Sequence, residues 1–397
     1  MKALIVFVAL LCTHIGYSQN YWTGKASLPS SARYAAVGFS IDSSGYICCG
    51  QIDNGSYTHD LWAFNPINNT WIQKASLPGP NIYGPSAFVI NGIAYVGNGH
   101  LINGSNVNEF YGYNPLTNVW TTIASFPGLS RYSCGTFVLN NKGYIVCGTT
   151  GNLYLNELWE YDPLTNVWTQ KASIPGSGRA HPVCFSLNNF GYVTTGKNNS
   201  GSYLNDTWKY NPSTNVWTQI GNIGNVERTA GVGFVLNNKG YCGSGISESG
   251  SELCDFWEFD PVTEIWTEIA YIPEGLGRHG ASSFAIDNKG FILTGIKSGT
   301  CLSDVWEYYP NVGSAAISNN LIDPIIWFPY PSTNIINIFS SRTLDCNVRI
   351  FEIGGKLLID KNITIPNTFN SFLNSKGVYI IQITAKSYSK TSKLLIK

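Results

Sequence analysis

Tryptophan recurs along this chain at a nearly fixed interval. Trp22, Trp71, Trp120, Trp168, Trp217 and Trp266 are spaced 49, 49, 48, 49 and 49 residues apart. A second aromatic series keeps the same period: Trp62, Tyr111, Trp159, Trp208, Trp257 and Trp306. A period of about fifty marks a repeat array, in which each unit buries its apolar face against its neighbours. Such scaffolds carry many activities, so function has to be argued from a site rather than from the period.

The third repeat shows what one unit contains. Tyr132 to Leu139 reads as a strand, and Asn140-Asn141-Lys142-Gly143 as a turn in which Asn and Gly supply the positive φ of a tight hairpin. Tyr144 to Gly148 is a second strand and Leu158 to Tyr161, after a polar loop, a third. Asp162-Pro163-Leu164-Thr165-Asn166 turns the chain into a fourth, Val167 to Lys171, which carries Trp168. Four short strands joined by hairpins cover their faces when sheets stack radially, which predicts an all-β propeller. Trp22 lies on a fourth-type strand with no three before it, and the last repeat, ending at Tyr309, lacks a fourth. Joining these two pieces closes the ring, hides two sheet edges and predicts six blades.

Composition agrees with an exported all-β protein. Charged residues are 12 % of the chain and the formal net charge is zero, which removes the basic footprint of a nucleic-acid binder. Residues 1–19 read as a signal peptide: Lys2, an apolar run from Ala3 to Cys12, then small residues at Gly16 and Ser18. That run is too short to span a membrane, and Cys12 follows Leu10 and Leu11 rather than the small residue a lipoprotein site requires. Nine cysteines remain after cleavage: Cys48, Cys49, Cys134, Cys147, Cys184, Cys242, Cys254, Cys301 and Cys346. The odd number prevents complete intramolecular pairing, and they read as small buried hydrophobes. No Cys/His spacing points to zinc, and no metal or cofactor is expected.

The repeats carry a family resemblance. An Arg opens the first strand, an aromatic and Gly end the second, and an acidic-x-aromatic precedes the final Trp. Over about residues 20–310 this resembles kelch repeats, with the family's Gly-Gly doublet reduced to Cys49-Gly50, Asn98-Gly99, Cys147-Gly148, Thr195-Gly196, Ser244-Gly245 and Thr294-Gly295. After a linker, 311–326, residues 327–397 read as a small β-sandwich. Its strand-like runs are Ile335 to Phe339, Asn347 to Glu352, Lys356 to Ile359, Gly377 to Thr384 and Ser392 to Ile396. Tyr330-Pro331, Val348 to Lys356, Lys376 to Ile381 and the terminal Lys393-Leu394-Leu395-Ile396-Lys397 resemble the C-terminal sorting domain of the type IX secretion system. The usual Tyr-Pro-Asn-Pro opening is here Tyr330-Pro331-Ser332-Thr333. The resemblance implies contact with the secretion machinery and a location outside the cell or on the outer-membrane surface.

Short turns occupy one face of such a ring and variable loops the other, where binding is expected. Arg33, Arg131, Arg179, Arg228 and Arg278 start the innermost strands on that face, while Ile82 stands in their place in the second repeat. Pointing at the axis, they would form a cationic funnel for carboxylates or sulfates. Alternatively, Asp60, Glu109, Glu157, Asp206, Asp255 and Asp304, two residues before each third-strand aromatic, would neutralise them as blade-to-blade ion pairs. Tyr57, Tyr154 and Tyr203 hold equivalent loop positions suited to stacking on sugars. His181 and His279 are candidates for acid-base work.

Two functions follow. The first is a secreted or surface module that binds a glycan or protein ligand through the loop face. The second, implied by resemblance to six-bladed kelch sialic acid mutarotases, uses arginines to hold a sugar carboxylate. A galactose-oxidase-type copper site would need a Tyr/His set at distinctive spacing, which is not seen. The candidate residues are mostly repeated, as in a scaffold, which favours binding.

Overall fold

The computed structural model describes residues 21–269, 271–273 and 275–310, and in the tail 326–329, 335–339, 344–352, 354–365, 367–370, 377–385 and 388–396. The expected signal peptide, most of the linker and the Tyr330-Pro331 motif lie outside these residues. Every regular element described is a β-strand. The chain divides after Pro310 into two compact units.

Among its described residues the first unit holds six sheets of four or five strands, here called blades in chain order, and two two-stranded ribbons. Blade 3 has the order Gly135–Leu139, Lys142–Val146, Leu158–Asp162 and Val167–Lys171, all antiparallel. Its first strand alternates buried and half-buried residues, whereas its second is buried along nearly its whole length because sheets cover both its faces. Blade 1 is longer: Ser44–Ile52 and Tyr57–Asn65 pair over most of their length, and its inner strand is broken into Arg33–Tyr34 and Val37–Ile41. Blade 6 is assembled from both ends of the unit, with Tyr21–Lys25 pairing against Val305–Tyr309. Trp22 then packs edge-on against Phe256 of blade 5, with ring centroids 5.1 Å apart.

The recurring tryptophans hold one blade to the next. Trp71, Trp120, Trp168 and Trp217 each donate an indole N–H to a backbone carbonyl of the preceding blade, at Ala26, Ala75, Ala124 and Ala172 (2.7–3.0 Å). The N–H of the same alanines is held by the side chains of Asn69, Asn118, Asn166 and Asn215, which end the second turns. Trp266 departs from the pattern and donates to Thr207 Oγ1 at 3.0 Å.

Except in blade 2, where Gly92 has φ 76°, the first turns correct one expectation. Positive φ falls on Asn140 (52°) and Asn141 (58°), the two residues of a primed hairpin, and not on Gly143. Gly143 is needed for space. A Cβ there would lie 2.2 Å from the ring of Phe88 on the preceding blade. Gly45, Gly191, Gly240 and Gly290 meet Phe284, Phe137, Phe185 and Phe234 in the same way. Five of the six hairpins thus leave a slot into which the neighbouring blade inserts a phenylalanine; blade 2 carries Ala94 at that position.

In the tail, Leu344–Glu352, Leu357–Ile365, Gly377–Ala385 and Tyr388–Ile396 form one antiparallel sheet, and Ile326–Pro329, Ile335–Phe339 and Asn367–Asn370 a second. Cys346, Val348 and Ile350 are buried while Asp345 and Arg349 are exposed, the period-two pattern of a strand with one covered face.

Gly143→Ala should cost about 1–3 kcal/mol through overpacking. The expected reading is a lower urea midpoint at unchanged slope; an unchanged midpoint would contradict the Phe88 contact.

Candidate functional site

At the end of each blade opposite the tight turns, the third strand bulges against the second, as His59 and Asp60 do opposite Cys49. The residue where kelch repeats carry a first glycine has left-handed φ in every blade: Cys49 (66°), Asn98 (55°), Cys147 (63°), Thr195 (63°), Ser244 (60°) and Thr294 (61°). Such angles disfavour residues with a Cβ, β-branched threonine above all. The arginines supply what holds them there. Nη1 of Arg33, Arg131, Arg179, Arg228 and Arg278 donates to the carbonyl of the left-handed residue of its own blade (3.0–3.3 Å).

The same guanidinium groups bind the acids. Arg33 pairs with Asp60 (2.5 Å), Arg179 with Asp206 (2.6 Å), Arg228 with Asp255 (2.6 Å), Arg278 with Asp304 (2.5 Å) and Arg131 with Glu157. Each acid also accepts the indole N–H of the third-strand tryptophan two residues on. The arginines are at most 2 % exposed. They form no cationic funnel: their donors are spent on a carboxylate and a carbonyl inside the blade. The pairs lie within blades, not between them as the sequence reading supposed. Burial opposes ionisation of Asp60, but the Arg33 hydrogen bond and charge, with the Trp62 indole, outweigh it and lower its pKa to about 2. Glu157, Asp255 and Asp304 are lowered by the same opposition of burial and arginine.

Blade 2 lacks the whole device. Ile82 replaces Arg, Tyr111 replaces Trp, and Glu109 is exposed. There the left-handed residue is Asn98, of a type that tolerates the conformation without help.

Two circles of backbone hydrogen bonds close this end of the ring. Gly50, Gly99, Gly148, Gly196, Gly245 and Gly295 each donate to the carbonyl of Arg, or Ile82, on the following blade (2.8–3.1 Å). Nearer the axis, Ala35 donates to Gly280, Gly84 to Ala35, Ser133 to Gly84, His181 to Ser133, Ala230 to His181 and Gly280 to Ala230 (2.7–3.3 Å). The axial cavity lined by these segments measures about 230 Å³, below the roughly 300–1,000 Å³ usual for ligand pockets. Apart from His181 its walls are backbone and small or apolar side chains, so it is a poor place for a sugar.

Above these circles the three strands of each blade continue as single bridged residues. They set out Tyr34/Gln51/Tyr57, Tyr83/His100/Asn106 and Tyr132/Thr149/Tyr154 on blades 1–3. Blades 4–6 present Ala180/Lys197/Tyr203, Thr229/Ile246/Glu252 and His279/Ile296/Cys301. The chemistry is divided. Blades 1–3 are aromatic and uncharged: Tyr83 contacts Tyr34, Tyr57 and Tyr132 at centroid separations of 5.6, 5.7 and 5.8 Å, and His100 contacts Tyr132 at 4.7 Å. All five rings are half-buried. Of the expected tyrosines, Tyr57 joins this cluster. Tyr154 lies at its edge, and burial raises the Tyr132 pKa. Tyr203 belongs to the other half, with Lys197 Nζ 5.7 Å from its ring centroid and its N–H on Glu248.

Polar atoms in the aromatic half are aimed outward. Asn106 Nδ2 donates to the carbonyls of Ser130 (3.2 Å) and Thr150 (2.9 Å), so its Oδ1 faces His100 Nδ1 at 2.7 Å. In the neutral ring the proton therefore sits on Nδ1, and Nε2 is left as an acceptor. Burial, then the neighbouring tyrosines, push the Tyr83 phenol up, so it remains a neutral hydroxyl. Among the described residues, the Tyr83 and Tyr132 hydroxyls have no hydrogen-bond partner. His181 is held neutral, its pKa lowered to about 4 by burial and then by His279 and Lys197. Sequence reasoning missed His100, Tyr34, Tyr83 and Tyr132. The available signal was tyrosine immediately after the arginine position in three successive repeats.

Asp60→Asn strips a buried guanidinium of its counter-charge and should cost about 3 kcal/mol. Glu109→Gln, with no arginine opposite, should stay within about 0.5 kcal/mol. Lowered carboxyl pKa values stabilise above the unfolded pKa, and this contribution is lost as pH falls through the folded value. Stability should therefore drop between about pH 4 and pH 2, less steeply in Asp60→Asn. Equal effects of the two substitutions in chemical denaturation would contradict the assignment.

Comparison with known proteins agrees with this geometry. Residues 83–241 and 169–314 match the KLHDC2/KLHL20/DRC7 Kelch-repeats domain, and residues 327–397 match a secretion system C-terminal sorting domain. The solved structure of YjhT superposes with a TM-score of 0.62 at 17 % identity, covering 71 % of this chain and 95 % of that one; at this identity the likeness is one of fold. No curated protein matches the chain in sequence. Among the described residues, no helix is long and apolar enough to cross a membrane, and no His/Cys/Asp/Glu cluster is arranged to hold a metal ion. The sorting domain places the protein outside the cell or on the outer-membrane surface, and the chain belongs to the kelch-repeat family of β-propellers.

Proposed function

We propose that this protein is a secreted or surface binding module, exported after removal of residues 1–19. In this reading it holds an uncharged extracellular glycan at the aromatic half of its loop face. The observation that carries it is the contiguous cluster of Tyr34, Tyr57, Tyr83, His100 and Tyr132. Sugar rings present C–H faces that stack on aromatics, and their hydroxyls need fixed donors and acceptors beside the stack. Here the acceptor is His100 Nε2, and the Tyr83 and Tyr132 hydroxyls supply donors. The cluster breaks the repeat pattern, as a single site on a repetitive scaffold must. It also lies on the face where loop residues differ most between blades.

The mutarotase reading needs guanidinium groups free to take a sugar carboxylate. All five arginines of this ring are already engaged by acids and carbonyls, so stacking of a neutral ligand is better supported. A glycan array probed with the full exported chain should show uncharged oligosaccharides bound. Tyr83→Ala and Tyr132→Ala should each weaken binding by about tenfold, with the fold unchanged by circular dichroism. An array that is blank, or binding indifferent to both substitutions, would refute the reading.

A further inference from the structure

Blade 1 carries adjacent thiols in an arrangement that a regular strand cannot produce. Successive side chains on a strand point to opposite faces. Cys48 and Cys49 escape this because Cys49 is left-handed, at φ 66°, where pairing with the third strand is irregular: Cys48 opposes Leu61, Gly50 opposes Thr58, and His59 with Asp60 bulge opposite Cys49. The two Sγ atoms stand 3.3 Å apart. Both residues are fully buried, with the Cys49 carbonyl held by Arg33 Nη1 at 3.1 Å. The other blades place Gly97, Val146, Thr194, Gly243 and Leu293 at the Cys48 position, so the pair occurs once in the ring.

We propose that Cys48 and Cys49 are joined by a disulfide between neighbouring residues in the exported protein. A chain bearing a secretion sorting domain leaves the reducing cytosol for compartments where disulfides form and persist. The reaction is thiol–disulfide exchange with a dithiol–disulfide oxidant of the export route. One cysteine thiolate attacks the oxidant's disulfide, forming a mixed disulfide and releasing a thiolate. The second cysteine thiolate then displaces the oxidant's other sulfur. The Sγ–Sγ bond forms, the two thiol protons end on the departing dithiol, and the oxidant is reduced by two electrons. Burial pushes the Cys49 thiol up, with Cys48 adding to the effect, so exchange takes place before blade 1 closes over the pair. The loop closed is the shortest possible, so the gain in global stability is small. Its effect is local: it locks the bulge from which the long hairpin of blade 1 carries Gln51 and Tyr57 to the aromatic cluster.

The test uses the exported protein, collected from the producing cells and alkylated in denaturant without reductant. Trypsin releases Tyr34 to Lys74, in which Cys48 and Cys49 are the sole cysteines. The expected peptide is unalkylated and lighter than its dithiol form by two hydrogens, and it takes up two labels once reduced. Cys346, the sole cysteine of the tail, serves as the reference that labels without reduction. Two labels on the Tyr34 to Lys74 peptide before reduction, or its cross-link to another peptide, would overturn the proposal.

Discussion

Five buried arginines hold the inner edge of the propeller in a backbone conformation that its own side chains disfavour. Each guanidinium ties the carbonyl of a left-handed residue to a carboxylate on the third strand, and the indole beyond secures that carboxylate. The bulge created there aims the next glycine N–H at the following blade, which completes one hydrogen-bonded circle around the axis. The ring closure, the narrowness of the axial cavity and the placement of the loop face all rest on that bulge. Blade 2 shows the dependence by exception: without arginine, the left-handed residue is an asparagine, a type that needs no clamp.

This arrangement separates what is repeated from what is variable. Charge is spent inside the blades, where opposite partners and low exposure neutralise it. The positions just above the circles take no part in closure and so are free to differ. They differ in a polarised way, with tyrosines and His100 on blades 1–3 and Lys197, Glu252 and His279 on blades 4–6. A repeat scaffold acquires a single site where one part of its ring departs from the repeat, and the proposed glycan surface is of this kind.

Much of the architecture was readable from residue order. The two aromatic periods located the sheets, and the unmatched Trp22 strand indicated that blade 6 draws on both ends of the unit. Other features needed three dimensions. An arginine stands at comparable sequence distance from the acid before it and the acid after it, so spacing could not say whether pairs lie within or between blades. Gly143 looked like a turn residue, but its role is to admit Phe88, a contact between residues far apart in the chain. His100 had no repeated counterpart to draw attention to it, and its tautomer follows from where Asn106 donates. The adjacency of the Cys48 and Cys49 thiols likewise follows from the left-handed backbone at Cys49, invisible in a strand pattern.

The arginine charges belong to the scaffold, and the proposed recognition belongs to uncharged aromatic groups. Salt dependence of binding distinguishes this division of roles from its opposite. Calorimetric titration with a neutral oligosaccharide and with its sialylated form, at low and high ionic strength, should show the neutral ligand bound with an affinity that salt leaves nearly unchanged. Binding confined to the sialylated form, and weakened steeply by salt, would mean that cationic groups face the ligand and would contradict the account.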